Sequence, residues 1–376
     1  MPVLAVTAEL ERLDPDVEIV YIAQVHDPSQ SFVREQAPHL RIMEIQAGKL
    51  RRFHGVSKLR QLTDVATTSK NTKDLFRMVR GMQQAYRILG KERPDVVFIK
   101  GGYVGLPVGI AARMRNIPIV THDSDAMPGL TNKILSRWAA VSAVTMPEKC
   151  YPQYKSTVVR RTGLPVSKSF EQVAGASKQN IRRELGLPIS KSIVLVVPGS
   201  LGARVINDAL VETMPAAMKK SDFILVHVTG KNNFHEVQRA YEKLAIDTKR
   251  VYVKPFVDNI AEFVRAADVV ITRAGSMLIE LAAVQAAVIS VPNPLLTGGH
   301  QLKNAALYEK SNAVKIVSER ALADSPSILL QETMELLANA KERKRLGAAL
   351  HAFYDPKSAE RIAQILLEVA SKAKGS

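Results

Sequence analysis

Residues 193–204 read Ile-Val-Leu-Val-Val-Pro-Gly-Ser-Leu-Gly-Ala-Arg. An apolar run typical of a buried strand leads into two glycines and a serine, and apolar residues at helical spacing follow over residues 206–218. Glycines in such a turn let the backbone approach a ligand closely, and the start of the next helix offers free N–H groups to a diphosphate. The stretch therefore predicts a strand, a phosphate-binding turn and a helix, although an ordinary strand-to-helix connection has the same pattern.

Short β-branched runs alternate with helical patterns along the whole chain. The predicted strands cover residues 17–23, 95–99, 117–120, 141–145, 193–197, 223–228, 250–254, 268–272 and 286–291. Their nearly continuous apolar character indicates parallel strands that are buried on both faces by helices. The pattern breaks over residues 163–179, where glycine, proline, serine and lysine accumulate. We therefore expect an α/β protein with two doubly wound domains, residues 1–165 and 166–352, and a last helix over residues 356–373 that packs back on the first domain.

The composition excludes several classes of protein. The chain has 376 residues, of which 46% are apolar and 23% charged, so it is able to build cores and is not a disordered or fibrous chain. Its single cysteine, Cys150, cannot form an internal disulfide, and no apolar stretch approaches the roughly 18 residues of a membrane-spanning helix. Acidic Glu9 and Glu11 argue against a signal peptide. The net charge of +16 predicts an anionic partner, which leaves phosphorylated substrates, acidic membranes and nucleic acids open.

The start of the sequence departs from the usual order of a doubly wound domain. Residues 2–13 have a helical pattern, and residues 17–23 have the pattern of a strand. Such a domain ordinarily opens with a strand and a glycine-rich turn before this helix. We expect the first strand of the N-terminal domain to be missing from its sheet, which would leave unpaired backbone groups on the neighbouring strands.

A second strand, glycine turn and helix follow at residues 272–281, which read Thr-Arg-Ala-Gly-Ser-Met-Leu-Ile-Glu-Leu. Glu280 lies near the start of an otherwise apolar helix, where a carboxylate is able to accept hydrogen bonds from ribose hydroxyls. A solvent-facing glutamate that complements the helix dipole is the alternative. A third loop brings polar His300, Gln301 and Asn304 to the end of a strand, which suits sugar hydroxyls, although glycine-rich loops also serve as plain connections.

Two loops in the first half also follow predicted strands. One is Lys-Gly-Gly-Tyr-Val-Gly at residues 100–105, and the other is Thr-His-Asp-Ser-Asp at residues 121–125. Ligands bind at the carboxyl ends of parallel strands, where both loops lie. His122 has the chemistry of an acid/base or of a hydrogen-bonding residue, although a lone histidine is often structural. Asp123 and Asp125 lack the further ligands of a metal site, so we expect no metal.

Positive charge concentrates between residues 49 and 100, which contain 13 Lys and Arg but only four Asp and Glu. On a predicted helix in this segment, apolar and basic residues interleave: Leu75, Phe76, Arg77, Val79 and Arg80. A basic helix with an apolar stripe is able to lie on an anionic bilayer. The alternative is a core-facing stripe with a solvated cationic back. Nucleic-acid binding is not expected, because only 5% of the residues are aromatic and no recognition motif is present.

Taken together, these loops resemble the MurG family, the transferases that add N-acetylglucosamine to lipid I to form lipid II in peptidoglycan synthesis. The matching stretches occur in family order over nearly the whole chain: residues 2–6, 101–104, 122, 129–133, 199–204, 273–275, 280 and 301–305. The resemblance implies a GT-B fold, in which two Rossmann-like domains face a cleft. It also implies a peripheral enzyme at the cytoplasmic face of the cell membrane, with a role in cell-wall synthesis, cell shape and cell division. Its partners would be UDP-N-acetylglucosamine, lipid I and the anionic inner-membrane surface, without a metal or other cofactor.

The resemblance also implies a role for each loop. The donor contacts would come from the second domain: Gly199, Ser200, Gly202, Ala203, Phe256, Val257, Arg273, Gly275, Ser276, Met277, Glu280, His300, Gln301 and Asn304. The acceptor side and the cleft would be lined by Gly101, Gly102, Tyr103, Asp123, Asp125, Asn132, Ser167 and Lys168. His122 is the candidate base, and the candidate membrane contacts are Leu75, Phe76, Val79, Arg77 and Arg80.

The sequence departs from the family pattern at four places. The family's glycine-rich amino-terminal loop, with the histidine often proposed as base, is absent before Pro2. The asparagine of the second acceptor loop is Asp125, and Ser167 stands in place of an arginine, with Lys168 beside it. Glu280 comes one residue earlier than usual after the glycine turn, which predicts a displacement of about 100° around the helix. The sequence therefore predicts a chain that binds UDP but transfers little N-acetylglucosamine unless an upstream segment is restored.

Two other functions stay open at this stage. One is a related UDP-sugar-dependent glycosyltransferase that acts on diacylglycerol or on another polyprenyl phosphate, because the sequence constrains the acceptor region poorly. The other is a catalytically incomplete protein that binds a UDP-sugar.

Overall fold

The computed structural model describes residues 2–27, 29–48, 65–199, 203–244, 246–295 and 299–375. Ser200 and Gly202, two of the expected donor contacts, lie outside the described residues. The chain divides into two compact units, one formed by Met1–Pro165 with Asp355–Ser376 and the other by Val166–Tyr354. Both units are built from parallel strands with helices between them, which confirms the predicted α/β class.

The first unit contains most of the amino-terminal half. Its strands are β1 (Val20–Gln24), β2 (Arg41–Ile45), β3 (Val97–Ile99), β4 (Ile119–Asp123), β5 (Val141–Val144) and β6 (Val158–Arg161). Its first helices are α1 (Pro2–Leu13), α2 (Ser29–Gln36), α3 (Val65–Glu92), α4 (Gly102–Met114) and α5 (Leu130–Leu135). The strands pair in parallel as two sheets, β1-β2 and β3-β4-β5-β6.

The break between these two sheets is the main irregularity of the first unit. Within the described residues, β1 and β3 belong to different sheets and do not pair with each other. Helix α1 contributes to the cores on both sides, because Leu4 packs with the apolar residues of β1, β2 and α2, whereas Val6 packs with those of β4 and β5. The missing first strand stays a prediction.

The second unit has a single six-stranded sheet. Its strands are β7 (Ser192–Val196), β8 (Phe223–Val228), β9 (Val251–Lys254), β10 (Val269–Thr272), β11 (Val288–Ser290) and β12 (Lys315–Ile316). Its helices are α6 (Lys168–Ala174), α7 (Lys178–Glu184), α8 (Arg204–Lys220), α9 (Phe234–Glu242), α10 (Ile260–Ala266), α11 (Met277–Ala283), α12 (His300–Lys310), α13 (Glu319–Asp324), α14 (Ser327–Ala338) and α15 (Ala340–His351).

The strand order of this sheet determines where a ligand would bind. The order is β12-β11-β10-β7-β8-β9, and every pair is parallel. The chain therefore starts in the middle at β7, adds β8 and β9 on one side, and then crosses to add β10, β11 and β12 on the other. In open parallel sheets, ligands bind at the carboxyl ends of the strands where the order reverses. That position is the end of β7 and β10.

The last helix, α16 (Ser358–Lys374), belongs to the first unit. It packs against α1, and its residues Ile362, Ile365 and Leu366 are buried in the same core as Val6. Its apolar residues at three- and four-residue spacing produce this one buried face. In the parts of the chain that the structure describes, no helix combines the length and the apolarity needed to cross a membrane.

Candidate functional site

The turn after β7 lies at the reversal of strand order in the second unit. Gly199 has a φ of +103° there, a conformation that residues with a side chain rarely adopt. The hydroxyl of Thr272, at the end of β10, donates to the carbonyl oxygen of Val197 at 2.7 Å and so ties the two central turns together. Ala203 is buried and supplies no side-chain cap to α8. The first N–H groups of α8 are therefore suited to binding an anion.

The turn after β10 is held by Arg273. Its Nη1 donates to the carbonyl oxygen of Val291 at 2.9 Å and lies 2.5 Å from a carboxylate oxygen of Glu319. The two charged side chains are only 11% and 16% exposed. Arg273, an expected donor contact, thus has two protein partners and fixes the turn against the end of β11 and the start of α13.

Glu280 lies on the less buried face of α11. The helix residues around it are buried, whereas Met277, one turn earlier, is only partly buried and Ser276 is exposed. Burial raises the pKa of Glu280 to about 7. At Gly275, a side-chain Cβ would meet no atom within 4 Å, so there is open space in front of the helix. A carboxyl group beside such a space is able to accept hydrogen bonds from the hydroxyls of a sugar.

The loop before α12 is shaped by two of the expected donor residues. Gln301 accepts a hydrogen bond at Oε1 from the backbone N–H of Asn293 at 2.8 Å. Asn304 is buried, and its Nδ2 donates to the carbonyl oxygen of Ala274 at 3.0 Å. His300, the first residue of α12, is partly buried. These contacts connect the loop after β11 to the glycine turn after β10.

An exposed aromatic ring stands at the end of β9. Phe256 is 49% exposed, and the ammonium of Lys231 lies 5.4 Å from its ring centre, whereas Val257 is buried. An aromatic ring with an open face provides a stacking surface for a planar base. The expected uracil contact at Phe256 and Val257 therefore has a suitable surface in the same unit.

The two acceptor loops of the first unit are connected by side chains of α5. Gly101 and Gly102, at the start of α4, have φ values of +95° and +75°. Thr131 donates its hydroxyl to the carbonyl oxygen of Gly102 at 2.7 Å, and Asn132 donates from Nδ2 to that of His122 at 2.8 Å. The carboxyl ends of β3 and β4 are therefore fixed relative to each other. Next to them, the ring of Tyr103 is 36% exposed.

His122 is completely buried in β4. Its Nε2 lies 2.9 Å from the carbonyl oxygen of Gly163. Burial, together with the nearby charge of Lys100, lowers the pKa of His122 to about 3. The imidazole is therefore neutral near pH 7, and its Nε2–H donates to Gly163. This environment favours a hydrogen-bonding role over that of a base.

The Asp-Ser-Asp segment is anchored by two tyrosines. The Tyr154 hydroxyl donates to Oδ2 of buried Asp123, and the Tyr151 hydroxyl donates to the carbonyl oxygen of Asp125 at 2.7 Å. Asp123 also accepts the backbone N–H of Gly129 at 3.2 Å. Burial raises the pKa of Asp123 to about 6. Among the described residues, no three acidic, histidine or cysteine side chains come together as a metal site would require.

The comparisons with known proteins cover both units. The glycosyltransferase family 28 N-terminal domain matches residues 1–144, and the glycosyltransferase family 28 C-terminal domain matches residues 193–372. A protein of Clostridium perfringens is 31% identical over 362 residues, which are 94% of this chain and 93% of the relative. It is named UDP-N-acetylglucosamine--N-acetylmuramyl-(pentapeptide) pyrophosphoryl-undecaprenol N-acetylglucosamine transferase. A Shewanella oneidensis protein of the same name is 34% identical over 299 residues, covering 79% of this chain and 78% of the relative.

The chain belongs to the MurG family. Solved structures agree on the fold. The crystal structure of Acinetobacter baumannii MurG has a TM-score of 0.69 at 24% identity and covers 98% of this chain and 95% of its own. The UDP-GlcNAc 2-epimerase of Neisseria meningitidis, solved with UDP-GlcNAc bound, has a TM-score of 0.64 at 12% identity and covers 98% of this chain and 96% of its own. The predicted GT-B fold class is confirmed.

Two residues expected on the acceptor side of this MurG-family chain lie at the start of the second unit. Ser167 is the N-cap of α6, and its hydroxyl oxygen accepts the backbone N–H of Ser169 at 3.4 Å. Lys168, the first residue of the helix, is exposed. The capping role of Ser167 explains a serine at this position, and Lys168 places a positive charge at the surface.

The apolar stripe on α3 faces outward. Leu75, Phe76 and Val79 are 49%, 74% and 42% exposed, whereas Ala85 and Leu89 of the same helix are buried. Arg77 and Arg80 are exposed beside the stripe. A core-facing stripe, the alternative that the sequence left open, is therefore excluded for these three residues. An apolar patch with a basic rim is typical of an interaction surface.

Several residues that shape the site were not identified from the sequence as site residues. They are Lys100 and Ser124 near the acceptor loops, Tyr151 and Tyr154 behind Asp123, and Glu319 opposite Arg273. The sequence signal for Lys100 was its position directly before a glycine pair. The partners of Asp123 and Arg273 are distant in sequence, so no local pattern indicates them.

Two buried histidines are expected to make the protein less stable in acid. Burial lowers the pKa values of His122 and His227 to about 3, against 6.5 as the ordinary value. Between these values the unfolded chain binds more protons than the folded chain, so the free energy of unfolding falls as the pH drops from 6.5 toward 3. We expect His122→Gln to lower this free energy at neutral pH but to reduce its pH dependence, as measured by urea unfolding. An unchanged slope would contradict the neutral buried state of His122.

Proposed function

We propose that the chain transfers N-acetylglucosamine from UDP-N-acetylglucosamine to lipid I, undecaprenyl-pyrophosphoryl-N-acetylmuramoyl-pentapeptide, and so forms lipid II for peptidoglycan synthesis. The single observation that carries this proposal is the 31% identity to a transferase of this name over 94% of the chain. The geometry of the second unit supports it, because the turn of Gly199 follows β7 and the helix of Glu280 follows β10, where the strand order reverses. The alternatives are a related lipid glycosyltransferase and a binding protein without catalysis.

The reaction inverts the anomeric carbon of the donor sugar. An acceptor hydroxyl oxygen attacks that carbon while its bond to the diphosphate oxygen breaks, and the bonding electron pair leaves with UDP. A base takes the proton of the attacking hydroxyl. The N–H groups at the start of α8 stabilise the charge that develops on the diphosphate, which is the role that a metal ion has in other transferases. We therefore infer that no bound metal is required.

Side chains of the second unit would make the contacts with the donor. Glu280 would accept hydrogen bonds from the ribose, and Phe256 with Val257 would hold the uracil. Gln301 and Asn304 would act mainly by shaping the sugar-binding loop, because their side chains bond to Asn293 and to the turn after β10.

His122 would position the acceptor loop rather than remove the proton. It is completely buried, and its Nε2 already donates to a carbonyl oxygen. A base must reach the hydroxyl that it deprotonates, at a hydrogen-bond distance of about 3 Å. Its neighbours Asp123 and Asn132 are buried as well, so they would fix the loop through their hydrogen bonds.

We also propose that the chain binds the cytoplasmic face of the cell membrane as a peripheral protein. The exposed stripe of Leu75, Phe76 and Val79 would enter the interface, and Arg77 and Arg80 would contact anionic headgroups. Each basic residue near such a surface contributes about 1 kcal/mol, an attraction that salt screens.

Vesicle binding tests this surface. Sedimentation with phosphatidylglycerol vesicles is expected to decrease as the salt concentration rises. The double variant Phe76→Ser, Arg80→Glu removes one apolar and reverses one basic contact, so it should bind about tenfold or more weakly. The control is Arg113→Glu, which reverses one basic residue on α4. Because Arg113 lies outside the stripe, this variant shows the effect of a charge reversal alone. Equal binding of the wild type to neutral and anionic vesicles would contradict the electrostatic part.

A panel of acceptors tests the proposed reaction against its alternatives. The chain is incubated with labelled UDP-N-acetylglucosamine and, separately, a lipid I analogue, diacylglycerol and undecaprenyl phosphate. We expect label to appear in the lipid I analogue alone, contrary to the sequence-based expectation that the chain transfers little N-acetylglucosamine. Transfer to one of the other lipids would favour the related glycosyltransferase, and nucleotide binding without any transfer would favour the binding protein.

A further inference from the structure

A buried polar cluster lies between α8, β8 and α9 of the second unit. Its members are Asn207, His227 and Tyr241, which are 1%, 0% and 3% exposed. The Nε2 atom of His227 lies 3.0 Å from Oδ1 of Asn207, and its Nδ1 atom lies 3.1 Å from the hydroxyl of Tyr241. Buried polar groups are costly unless they are paired, so these contacts hold the three side chains in fixed positions.

The direction of each hydrogen bond in this cluster follows from its partners. Nδ2 of Asn207 donates to the carbonyl oxygen of Thr229 at 3.3 Å, so Oδ1 of the same amide is the acceptor that faces His227. The Nε2 atom of His227 therefore carries the proton, and Nδ1 accepts a hydrogen bond from the hydroxyl of Tyr241. Burial lowers the pKa of His227 to about 3, so the imidazole is neutral near pH 7 and keeps this pattern.

Asn207 lies in the first turn of α8, directly after the glycine turn of the donor side. It is the fourth residue of the helix, and its backbone N–H donates to the carbonyl oxygen of Ala203, the N-cap, at 3.0 Å. Its side chain reaches the end of β8, because His227 is the fifth of the six residues of that strand and Thr229 follows it directly. The first turn of α8 is therefore bonded to the strand that lies next to β7.

The apolar contacts of α8 do not fix its position in the same way. Ile206 and Leu210 are buried and pack in the apolar core of the second unit. Apolar burial is not directional, whereas a hydrogen bond weakens steeply when its angle or length departs from the ideal. The bond between Asn207 and His227 therefore selects one rotation and one depth of the first turn, which decides where the N–H groups of that turn point.

We propose that His227 is a positioning residue for the donor: through Asn207 it holds the first turn of α8 so that the N–H groups of that turn face the diphosphate of UDP-N-acetylglucosamine. This role rests on the proposed function, because it takes the diphosphate to bind at the start of α8. The effect is selective. His227 acts on the diphosphate and not on the uracil or the ribose, whose proposed contacts, Phe256 and Glu280, lie on other elements.

The ratio of UDP affinity to uridine affinity tests this role. Each ligand is titrated with folded protein and followed by proton NMR of the ligand. His227→Phe, which cannot donate to Asn207, should bind UDP about 5- to 30-fold more weakly, the range for a helix N-terminus that acts on an anion, and should bind uridine as the wild type does. His227→Gln keeps a side-chain N–H donor and should recover part of the loss. The control is Thr213→Val, which removes a side-chain hydrogen bond to the carbonyl oxygen of Ala209 within the same helix and should keep the wild-type ratio.

A second variant keeps the test decisive if His227→Phe does not fold. Asn207→Ala breaks the same bond from the side of α8 and should lower the ratio by a similar factor. The double variant should bind UDP no more weakly than either single variant, because the two changes remove one shared bond.

Three results would overturn the positioning role of His227. They are an equal loss of UDP and uridine affinity, an unchanged UDP affinity in these variants, and a wild type that binds UDP no more tightly than uridine. After any of them the acceptor panel could still establish transfer. Conversely, a selective loss of UDP affinity would support the role even if no acceptor were glycosylated.

Discussion

Replacing Glu280 by alanine is expected to weaken UDP binding by about 1.5–3 kcal/mol, roughly 10- to 150-fold. The carboxylate would lose its hydrogen bonds to the ribose hydroxyls, whereas the core would stay filled because Glu280 is only partly buried on the open face of α11. Calorimetry with UDP measures the loss. Glu335→Ala, on an exposed position of α14 in the same unit, is the control and should bind as the wild type does.

The pH dependence of binding adds a second readout to this prediction. The pKa of Glu280 is about 7 in the ligand-free chain, and only its ionised form accepts hydrogen bonds at both oxygens. The advantage of wild type over Glu280→Ala should therefore shrink as the pH falls below 7. A folded Glu280→Ala variant with unchanged UDP affinity would exclude the ribose contact, and the shortened spacing from Gly275 would then be the physical reason.

Removal of Arg273 is expected to have the largest effect on stability. Arg273→Ala leaves the carboxylate of Glu319 largely buried without its cation, which typically costs about 3–5 kcal/mol. The free energy of unfolding in urea measures the loss. Because the turn after β10 would also be released from the end of β11, UDP affinity should fall as well.

Two further variants separate the effect of losing this buried ion pair from the effect of losing any single charge. Arg204→Ala breaks an exposed pair with Glu236 and should change the free energy of unfolding much less than Arg273→Ala does. The double variant Arg273→Met, Glu319→Leu removes both charges and should recover much of the stability lost in Arg273→Ala. If Arg273→Ala were as stable as the wild type, the ion pair would not hold the turn, and Arg273 would be free to contact the donor.

The sequence predicted most of the helices and strands that have a continuous apolar pattern. The helix at Pro2–Leu13 and the strand at Phe223–Val228 have the predicted bounds. The strand at Arg41–Ile45 was missed because charged residues stand at its first and fourth positions, and it is only half-buried. The strand at Val158–Arg161 is an edge strand that ends in two arginines, so it lacks the apolar run of a central strand. Tertiary pairing, not local pattern, creates both strands.

The candidate site was predictable where glycines and helix starts are adjacent in sequence. The turns at Gly199 and Gly101 have the positive φ values that their glycines suggest. Burial was not predictable, and of the two roles that the sequence left open for His122 it favours hydrogen bonding over that of a base. The partners of Arg273 are 18 and 46 positions away, so the ion pair becomes visible only when the sheet is assembled. Local sequence therefore indicates candidate ligand-binding turns, but not which side chains at those turns are already bonded to other parts of the protein.

The linkage formed in the product is the most direct test of inverting transfer to lipid I. The chain is incubated with UDP-N-acetylglucosamine and a lipid I analogue, and the isolated product is analysed by proton NMR and mass spectrometry. We expect release of one UDP for each N-acetylglucosamine added and a β-glycosidic bond, inverted from the α-linked donor. An α linkage, or UDP release without a glycosylated product, would contradict it.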